Sequence, residues 1–144
     1  GDIHKAVSLD AGNCSLRGTA GDDTLNGGAG NDALWGGSGG NDFLAGGAGS
    51  DTYWLDASAG IDTIGAADGN SLDSVYFYTA WTPDSLTVSL QGQDLHLKAG
   101  VTEAVLAGWG LGGGYQLNRF YFSQTGKSYS LAIAGGQVTW SVNG

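Results

Sequence analysis

The chain has 144 residues, enough to bury the core of one domain, and a formal net charge of −9 with only five Lys and Arg. This charge argues against nucleic acid and anionic membrane surfaces as partners, because both need basic patches, and it suits a metal cation. No apolar run reaches the roughly 18 residues of a membrane span. Glycine is in excess, with 28 residues against one proline, so the spacing of the glycines decides whether the chain is ordered.

Residues 1–17 precede the first repeat and predict an N-terminal lead-in strand. Its apolar residues are Val7, Leu9, Cys14 and Leu16. Cys14 is the only cysteine, which excludes an internal disulfide, and we interpret it as a small buried hydrophobe because no base lies nearby. The chain begins at Gly1 instead of Met, so we expect it to be part of a longer polypeptide.

Residues 18–73 repeat a pattern in which glycines precede an aspartate and an apolar side chain follows two residues later. The aspartates, at intervals of nine to eleven residues, are Asp23, Asp32, Asp42, Asp51, Asp62 and Asp73. The apolar residues are Leu25, Leu34, Leu44, Tyr53, Ile64 and Val75. Six matches in succession exceed what composition gives by accident, and the pattern GGxGxDxUx is a calcium-binding repeat of parallel β-helices.

The spacing of this pattern predicts a flattened parallel β-roll. In a three-residue strand such as Thr24-Leu25-Asn26 only the middle side chain points inward, because strand side chains alternate between faces. The glycines tolerate positive φ and reverse the chain before each strand. Two repeats make one coil, so the aspartates stack alternately along two edges. One edge takes Asp23, Asp42 and Asp62, and the other takes Asp32, Asp51 and Asp73.

Stacked loops of this kind place carboxylates and backbone carbonyls around each gap, the all-oxygen environment that calcium prefers. We expect carbonyl ligands from Gly18, Ala20, Gly28, Gly30, Gly37, Gly39, Gly40, Gly47 and Gly49. The loops offer four gaps, and the last depends on the degenerate loop at Asp73, so the sequence predicts three or four Ca²⁺ ions. The fifth and sixth loops lack the Gly-Gly opening, and their Asp56 and Asp68 are either substitute ligands or solvated surface.

An alternative is a β-solenoid whose Asp-Gly turns bind no metal. Between Arg17 and Lys98 there is no Lys or Arg, while nine acidic residues lie from Asp22 to Asp73. Carboxylates stacked about 4.8 Å apart repel one another, and only a counter-cation removes that cost. Each short strand also buries a single apolar side chain against about 1–2 kcal/mol of backbone entropy per residue. The sequence therefore predicts a roll that folds only with calcium.

Residues 74–144 predict a β-rich capping region, because glycine becomes less frequent and apolar residues alternate with polar ones. The alternating groups are Val75/Phe77, Leu86/Val88/Leu90, Leu95/Leu97, Phe120/Phe122, Leu131/Ile133 and Val138/Trp140/Val142. Gln91-Gly92-Gln93-Asp94 predicts a hairpin connection, Pro83-Asp84 a turn, and Gly110–Gly114 a flexible loop.

These residues resemble the repeat-in-toxin (RTX) proteins of Gram-negative bacteria. GSDTYWLDASAGIDTI, from Gly49 to Ile64, is similar to the stretch that follows the last repeats in that family, and DSVYFYTAWTPDSLTVSLQGQDLHL, from Asp73 to Leu97, is similar to its cap. The resemblance implies an all-β fold, a calcium-loaded parallel β-roll followed by an antiparallel cap. It also implies type I secretion, calcium-induced folding outside the cell or at the bacterial surface, and a place within a larger exported protein such as a toxin.

No catalytic site is predicted. Gly36–Gly40 matches GxSxG, but the nucleophile elbow needs a long strand, a helix and a downstream His, and the only histidines are His4 and His96. We expect a monomer whose aromatic residues serve mostly in core packing. The alternative function is an adhesin-type module that binds a glycan or cell surface through the outward Trp35 and Trp54, with calcium only structural.

Overall fold

The computed structural model describes residues 5–7 (backbone only), 12–55, 60–65, 73–77, 81–109 and 119–143. These residues form fourteen strands and one 3-10 turn at Pro83–Ser85. The strands are β1 (Lys5–Val7), β2 (Ser15–Arg17), β3 (Thr24–Ala29), β4 (Ala33–Trp35), β5 (Phe43–Ala48), β6 (Thr52–Leu55), β7 (Gly60–Ile64), β8 (Ser74–Phe77), β9 (Thr87–Gln91), β10 (Asp94–Ala99), β11 (Thr102–Leu106), β12 (Phe120–Phe122), β13 (Lys127–Ala134) and β14 (Gln137–Val142). No helix among the described residues has the length and hydropathy needed to cross a membrane.

The strands make two sheets that share one core. Sheet A has the order β1-β3-β5-β7-β11-β10-β9, and sheet B has the order β14-β13-β12-β8-β6-β4-β2. From β1 to β8 successive strands alternate between the sheets and pair in parallel with the strand two positions along the chain. One coil thus gives one strand to each sheet, and the predicted all-β parallel roll is confirmed.

The C-terminal part prolongs both sheets. β11 pairs in parallel with β7, placing Thr102 opposite Gly60, and β12 pairs in parallel with β8, placing Phe120 opposite Val75. Beyond these two strands each sheet ends in antiparallel pairs, which β9 and β10 supply in sheet A and β13 and β14 in sheet B. The predicted hairpin joins β9 to β10, with Gly92 at a φ of 64°.

Two details differ from the sequence prediction. β3 and β5 contain six residues each instead of three, because Gly28 also pairs with Gly47 and the sheet continues into the loop. The lead-in segment supplies two strands instead of one: β1 lies beside β3 in sheet A, and β2 lies beside β4 in sheet B. Leu9 and Gly110–Gly114 lie outside the described residues.

The core follows the repeat as predicted. The six apolar residues that come two positions after the aspartates are at most 2% exposed: Leu25, Leu34, Leu44, Tyr53, Ile64 and Val75. In the C-terminal part larger side chains take over, and Phe77 stacks on Trp81 and Phe122 at ring-centroid distances of 4.9 and 4.8 Å. The roll therefore has a thin aliphatic core, and the C-terminal part has a thicker aromatic one.

Adjacent residues of β5 test this core. Leu44 is fully buried, whereas Phe43 points outward and is 42% exposed. We expect Leu44→Ala to lower the free energy of unfolding by about 2–5 kcal/mol at saturating calcium, because it leaves a cavity. Phe43→Ala should cost less than about 1 kcal/mol. Denaturant unfolding of both variants measures the difference, and equal losses would contradict the assignment of the inward face.

Candidate metal centre

The aspartates of the first edge are linked from coil to coil. The backbone N–H of Asp23 donates to Oδ1 of Asp42 at 2.9 Å, and the N–H of Asp42 donates to Oδ1 of Asp62 at 3.2 Å. Asp23 and Asp42 are at most 3% exposed, and Asp62 is partly buried. Each carboxylate therefore uses one oxygen to hold the preceding coil in register.

The second edge repeats this arrangement. The N–H of Asp32 donates to Oδ1 of Asp51, and the N–H of Asp51 donates to Oδ1 of Asp73, both at 2.8 Å. At the N-terminal end the N–H of Cys14 donates to Oδ1 of Asp32, also at 2.8 Å. The structure thus brings all six predicted aspartates into two separate ladders, in the grouping that the spacing predicted.

The other carboxylate oxygen, Oδ2, faces a glycine that precedes the aspartate. A methyl group at Gly18 would lie 2.5 Å from Oδ2 of Asp23 and would collide with the carbonyl oxygen of Gly36 in the next coil. A methyl group at Gly27 would collide with Oδ2 of Asp32 and lie 2.7 Å from the carbonyl oxygen of Gly46. Oxygens of neighbouring coils therefore converge where any larger side chain would intrude.

Oδ2 of Asp32 is the clearest sign that a cation fits this position. The oxygen is buried and has no hydrogen-bond partner among the described residues. A buried carboxylate oxygen without a donor is costly, and a bound cation removes the cost. No three His, Cys, Asp or Glu side chains converge in the described parts of the chain. The donors available in a gap are thus carboxylates from two coils with backbone carbonyls, a hard oxygen set that suits Ca²⁺.

The glycines expected to supply carbonyls adopt the conformation that the turns need. Seven have positive φ: Gly28, Gly30, Gly37, Gly39, Gly40, Gly47 and Gly49. Close stacking of the loops adds a second requirement. A Cβ at Gly37 or Gly49 would collide with a carbonyl oxygen of the loop one coil earlier on the same edge. The other two expected ligands, Gly18 and Ala20, do not have positive φ, and Ala20 is exposed.

Burial and crowding of the carboxylates raise the pKa of Asp42, the middle aspartate of its ladder. The pKa of Asp42 is raised from 3.8 to about 7, mainly by burial and further by the charges of Asp62 and Asp23, while the hydrogen bond from the Asp23 N–H acts in the opposite direction. Without a cation, Asp42 of the folded protein therefore keeps its proton to a higher pH than an ordinary aspartate does. A divalent ion between the rungs would take the place of that proton.

Each edge has a further ladder, which the sequence analysis missed. It runs through the residue before the aspartate, or before Cys14 in the lead-in segment. Asn13 Oδ1 accepts from the N–H of Asn31 at 2.7 Å, and Asn31 Oδ1 accepts from the N–H of Ser50 at 2.9 Å. On the other edge Asp22 and Asn41 accept in the same way from the next coil. The recurrence of Asn or Asp at this position is the sequence signal that could have indicated it. An asparagine there links coils without adding charge.

Tyr53 also has a role that its apolar position concealed. Its buried hydroxyl oxygen accepts a hydrogen bond of 2.9 Å from the N–H of Gly46, the residue whose carbonyl oxygen approaches Gly27. Burial raises the pKa of Tyr53 above its ordinary value, and the charges of Asp73 and Asp51 raise it further, so the phenol stays neutral. Tyr53 thereby positions the backbone of Gly46 beside Asp32. Asp56 and Asp68 lie outside the described residues.

Comparison with known families assigns the repeated segment. A profile described as the RTX calcium-binding nonapeptide repeat (4 copies) matches residues 10–41, 18–53 and 37–64. Residues 10–64 are RTX repeats. Repeats of this family bind calcium, and the matched residues include five of the six ladder aspartates.

Among solved structures, the AlgE6R3 subunit of the Azotobacter vinelandii mannuronan C5-epimerase is similar to this chain. It is 23% identical, over 67% of this chain and 72% of that chain, with a TM-score of 0.31, which is too low to support an argument. No curated protein matches the chain.

Removal of one oxygen tests the role of Tyr53. We expect Tyr53→Phe to leave the buried N–H of Gly46 without its acceptor and to destabilise the calcium-bound protein by about 1–3 kcal/mol. Tyr121→Phe, which removes a hydroxyl from the outer face of sheet B, is the matched control and should be near neutral. Denaturant unfolding at fixed calcium measures both, and a Tyr53→Phe variant as stable as the control would refute the positioning role.

The raised pKa of Asp42 predicts how the calcium-free RTX segment responds to pH. The folded state keeps a proton that the unfolded chain releases above its ordinary pKa, so the stabilisation is complete below about pH 4 and is lost as the pH rises through about 7. Far-UV circular dichroism in chelator should show more structure at about pH 5 than at about pH 8. Calcium binding near neutral pH should release protons. A chelated protein with the same spectrum at both pH values would contradict this.

Proposed function

We propose that this chain is a calcium-binding RTX module that folds on exposure to extracellular calcium and thereby supports the secretion, folding and stability of a larger exported protein. The observation that carries the proposal is the pair of aspartate ladders, in which one oxygen links the coils and Oδ2 of Asp32 is buried without a hydrogen-bond partner among the described residues. The role needs no catalytic step.

The proposed ligands are the ladder aspartates with the backbone carbonyls of the intervening loops. Four gaps separate consecutive rungs, two on each edge, and we propose that they hold three or four Ca²⁺ ions. The aspartate ligands are Asp23, Asp32, Asp42, Asp51, Asp62 and Asp73. The carbonyl ligands are those of the glycines named above and of Ala20.

Calcium would contribute most of the stability of the roll. Extracellular calcium modules bind with Kd values of about 10⁻⁴–10⁻³ M. At ten times Kd each occupied site adds about 1.4 kcal/mol, so three or four sites give about 4–6 kcal/mol, comparable to the whole stability of a small domain. At submicromolar calcium this contribution disappears. The chain would thus stay unfolded before export, where calcium is scarce, and fold afterwards, where calcium is abundant.

The functional division proposed for the chain is a lead-in at residues 1–17, the β-roll at 18–73 and the cap at 74–144. The cap contains the aromatic part of the shared core, in which Trp140 meets Phe120 and Phe122 edge-on at 5.4 and 5.5 Å. This aromatic part needs no metal, so the cap is suited to form first and to present β11 and β12 to the last coil. A secreted or surface location and a monomeric state complete the proposal.

A second candidate function is binding of a glycan or cell surface. The observation that favours it is the placement of Trp35 directly opposite Trp54 in neighbouring strands of sheet B. Both indole rings lie on the outer face, where they can serve as a stacking platform. Calcium would then hold the platform in shape.

Substitution of Asp42 separates the hydrogen-bonding role from the metal-binding role. Asp42→Asn keeps an oxygen for the Asp23 N–H but removes the charge. We expect weaker calcium binding, with about 1.4 kcal/mol lost for each site emptied at ten times Kd, and a more structured protein in chelator because repulsion along the edge is relieved. Calorimetry and circular dichroism during a calcium titration measure both effects, with magnesium as the ion control.

The matched control is Asp22→Asn on the same loop, because the equivalent positions carry asparagine in Asn31 and Asn41. Asp22 is exposed, and its Oδ1 accepts a hydrogen bond from the N–H of Asn41, which an asparagine oxygen can also accept. This variant should bind calcium nearly as tightly as the parent chain. A parent chain that is fully folded in chelator and unchanged by millimolar calcium would overturn the proposed function.

A further inference from the structure

An aromatic stripe crosses the outer face of sheet B. It consists of one outward residue from each of four neighbouring parallel strands, Trp35, Trp54, Tyr76 and Tyr121, placed opposite one another by the strand register. Trp54 and Tyr76 meet edge-to-face with ring centroids 4.6 Å apart, and Tyr76 and Tyr121 are tilted by 52° at 4.9 Å. The stripe is therefore continuous from the roll into the C-terminal part and runs across the strands.

Arg17 continues the stripe at the β2 edge. It lies opposite Trp35, and its guanidinium carbon is 3.9 Å from the centroid of the Trp35 ring. A guanidinium stacked on an indole still directs its N–H groups outward from the edge of its own plane, where they can bind a carboxylate. Arg17, Trp35 and Trp54 also line an open cleft of about 450 Å³ with Ser15 and Ala33.

The charge of this face differs from that of the chain as a whole. The chain carries 14 acidic residues against five basic ones, yet the seven strands of sheet B, as described, contain no Asp or Glu. Arg17 is exposed at one end of the stripe, and Arg119, two residues before Tyr121, is exposed near the other. An anionic ligand would be repelled by the ladder edges but accepted here.

The chemistry of the face also distinguishes a sugar from a protein partner. Beside the stripe the outward positions carry small or hydroxyl side chains, such as Thr52, Ser128 and Ser130, which suit the hydroxyl groups of a saccharide. Exposed Phe43 and Ile61, which a protein partner would bury, belong to strands of sheet A instead. Strands about 4.8 Å apart space the rings at close to the length of one pyranose unit. A saccharide chain laid along the stripe can thus contact about one aromatic side chain per sugar.

From these observations the geometry points to a binding site for an acidic polysaccharide, whose uronate carboxylates would meet Arg17 and Arg119 while its sugar rings contact the four aromatic residues. This inference rests on the second candidate function and gives it a ligand class, a direction across the strands and a length of about four sugars. It is independent of which gaps hold calcium, provided that the roll is folded.

The test measures affinity of the calcium-loaded chain for hexasaccharides of galacturonate, mannuronate and hyaluronan, with cellohexaose as the neutral counterpart. Hexasaccharides are used because long polyuronates gel with calcium. We expect at least one acidic hexasaccharide to bind more tightly than cellohexaose. Trp54→Ala should weaken that binding about tenfold, and Trp54→Phe should weaken it less. Arg17→Gln should remove the preference for the acidic ligand. Phe43→Ala, on the opposite sheet, should leave binding unchanged.

The calcium dependence of the circular dichroism spectrum separates this inference from the proposed function. Variants that keep the calcium midpoint of the parent chain are folded, so their loss of saccharide binding is local. A parent chain that folds with calcium but binds none of the acidic hexasaccharides overturns the saccharide site and leaves the calcium module standing. Equal binding of cellohexaose, or binding abolished by Phe43→Ala and retained by Trp54→Ala, overturns it as well.

Discussion

The structure depends on how each aspartate divides its two carboxylate oxygens. In Asp42 and Asp51, Oδ1 accepts the backbone N–H of the aspartate one coil earlier, and Oδ2 lies against a preceding glycine, Gly36 or Gly46. The first contact sets the register of the parallel sheets, and the second concentrates negative charge that water cannot solvate. Both result from one short side chain, because the longer chain of glutamate would displace its carboxylate from this position. The side chain that orders the repeat is therefore also the one that creates the need for a bound cation.

Glycine makes this division possible. The close approach of successive loops brings the carbonyl oxygen of Gly28 against Gly47, in a conformation with a φ of 94° that side chains rarely adopt. The glycines remove bulk at the gap and expose carbonyl oxygens, but they contribute no apolar surface to the core. A roll of this composition has few sources of stability besides hydrogen bonds and bound ions. The proposed dependence on calcium would follow from the same residues that permit its geometry.

The repeat determined what could be predicted from the sequence. Period-two alternation placed Leu25 and Leu34 in the core, and the spacing of two repeats per coil placed Asp23 beside Asp42, because both arguments depend only on backbone geometry. The hydrogen bond from Gly46 to Tyr53 was not predictable, since a tyrosine at an apolar position shows nothing of where its hydroxyl points. The asparagine ladder was missed for the same reason. The continuation of the parallel sheets by β11 and β12 depends on contacts distant in sequence, for which no local pattern exists.

The polarity of the aspartate ladders bears on the proposed role of the cap. Each rung is the donor through its N–H, and the acceptor always lies one coil nearer the C-terminus, as Asp42 to Asp62 and Asp51 to Asp73 illustrate. A coil can therefore satisfy its aspartate N–H only when the following coil is in place. The last acceptors belong to the coil whose strands β7 and β8 pair with β11 and β12 of the cap. Order can thus spread from the aromatic core of the cap towards the N-terminus, with each new coil meeting an acceptor already formed. Growth in the opposite direction would leave a buried aspartate N–H open at every step, so the aspartate ladders favour closure from the C-terminal end, whereas the exposed ladders through Asn31 and Asn41 have the opposite polarity.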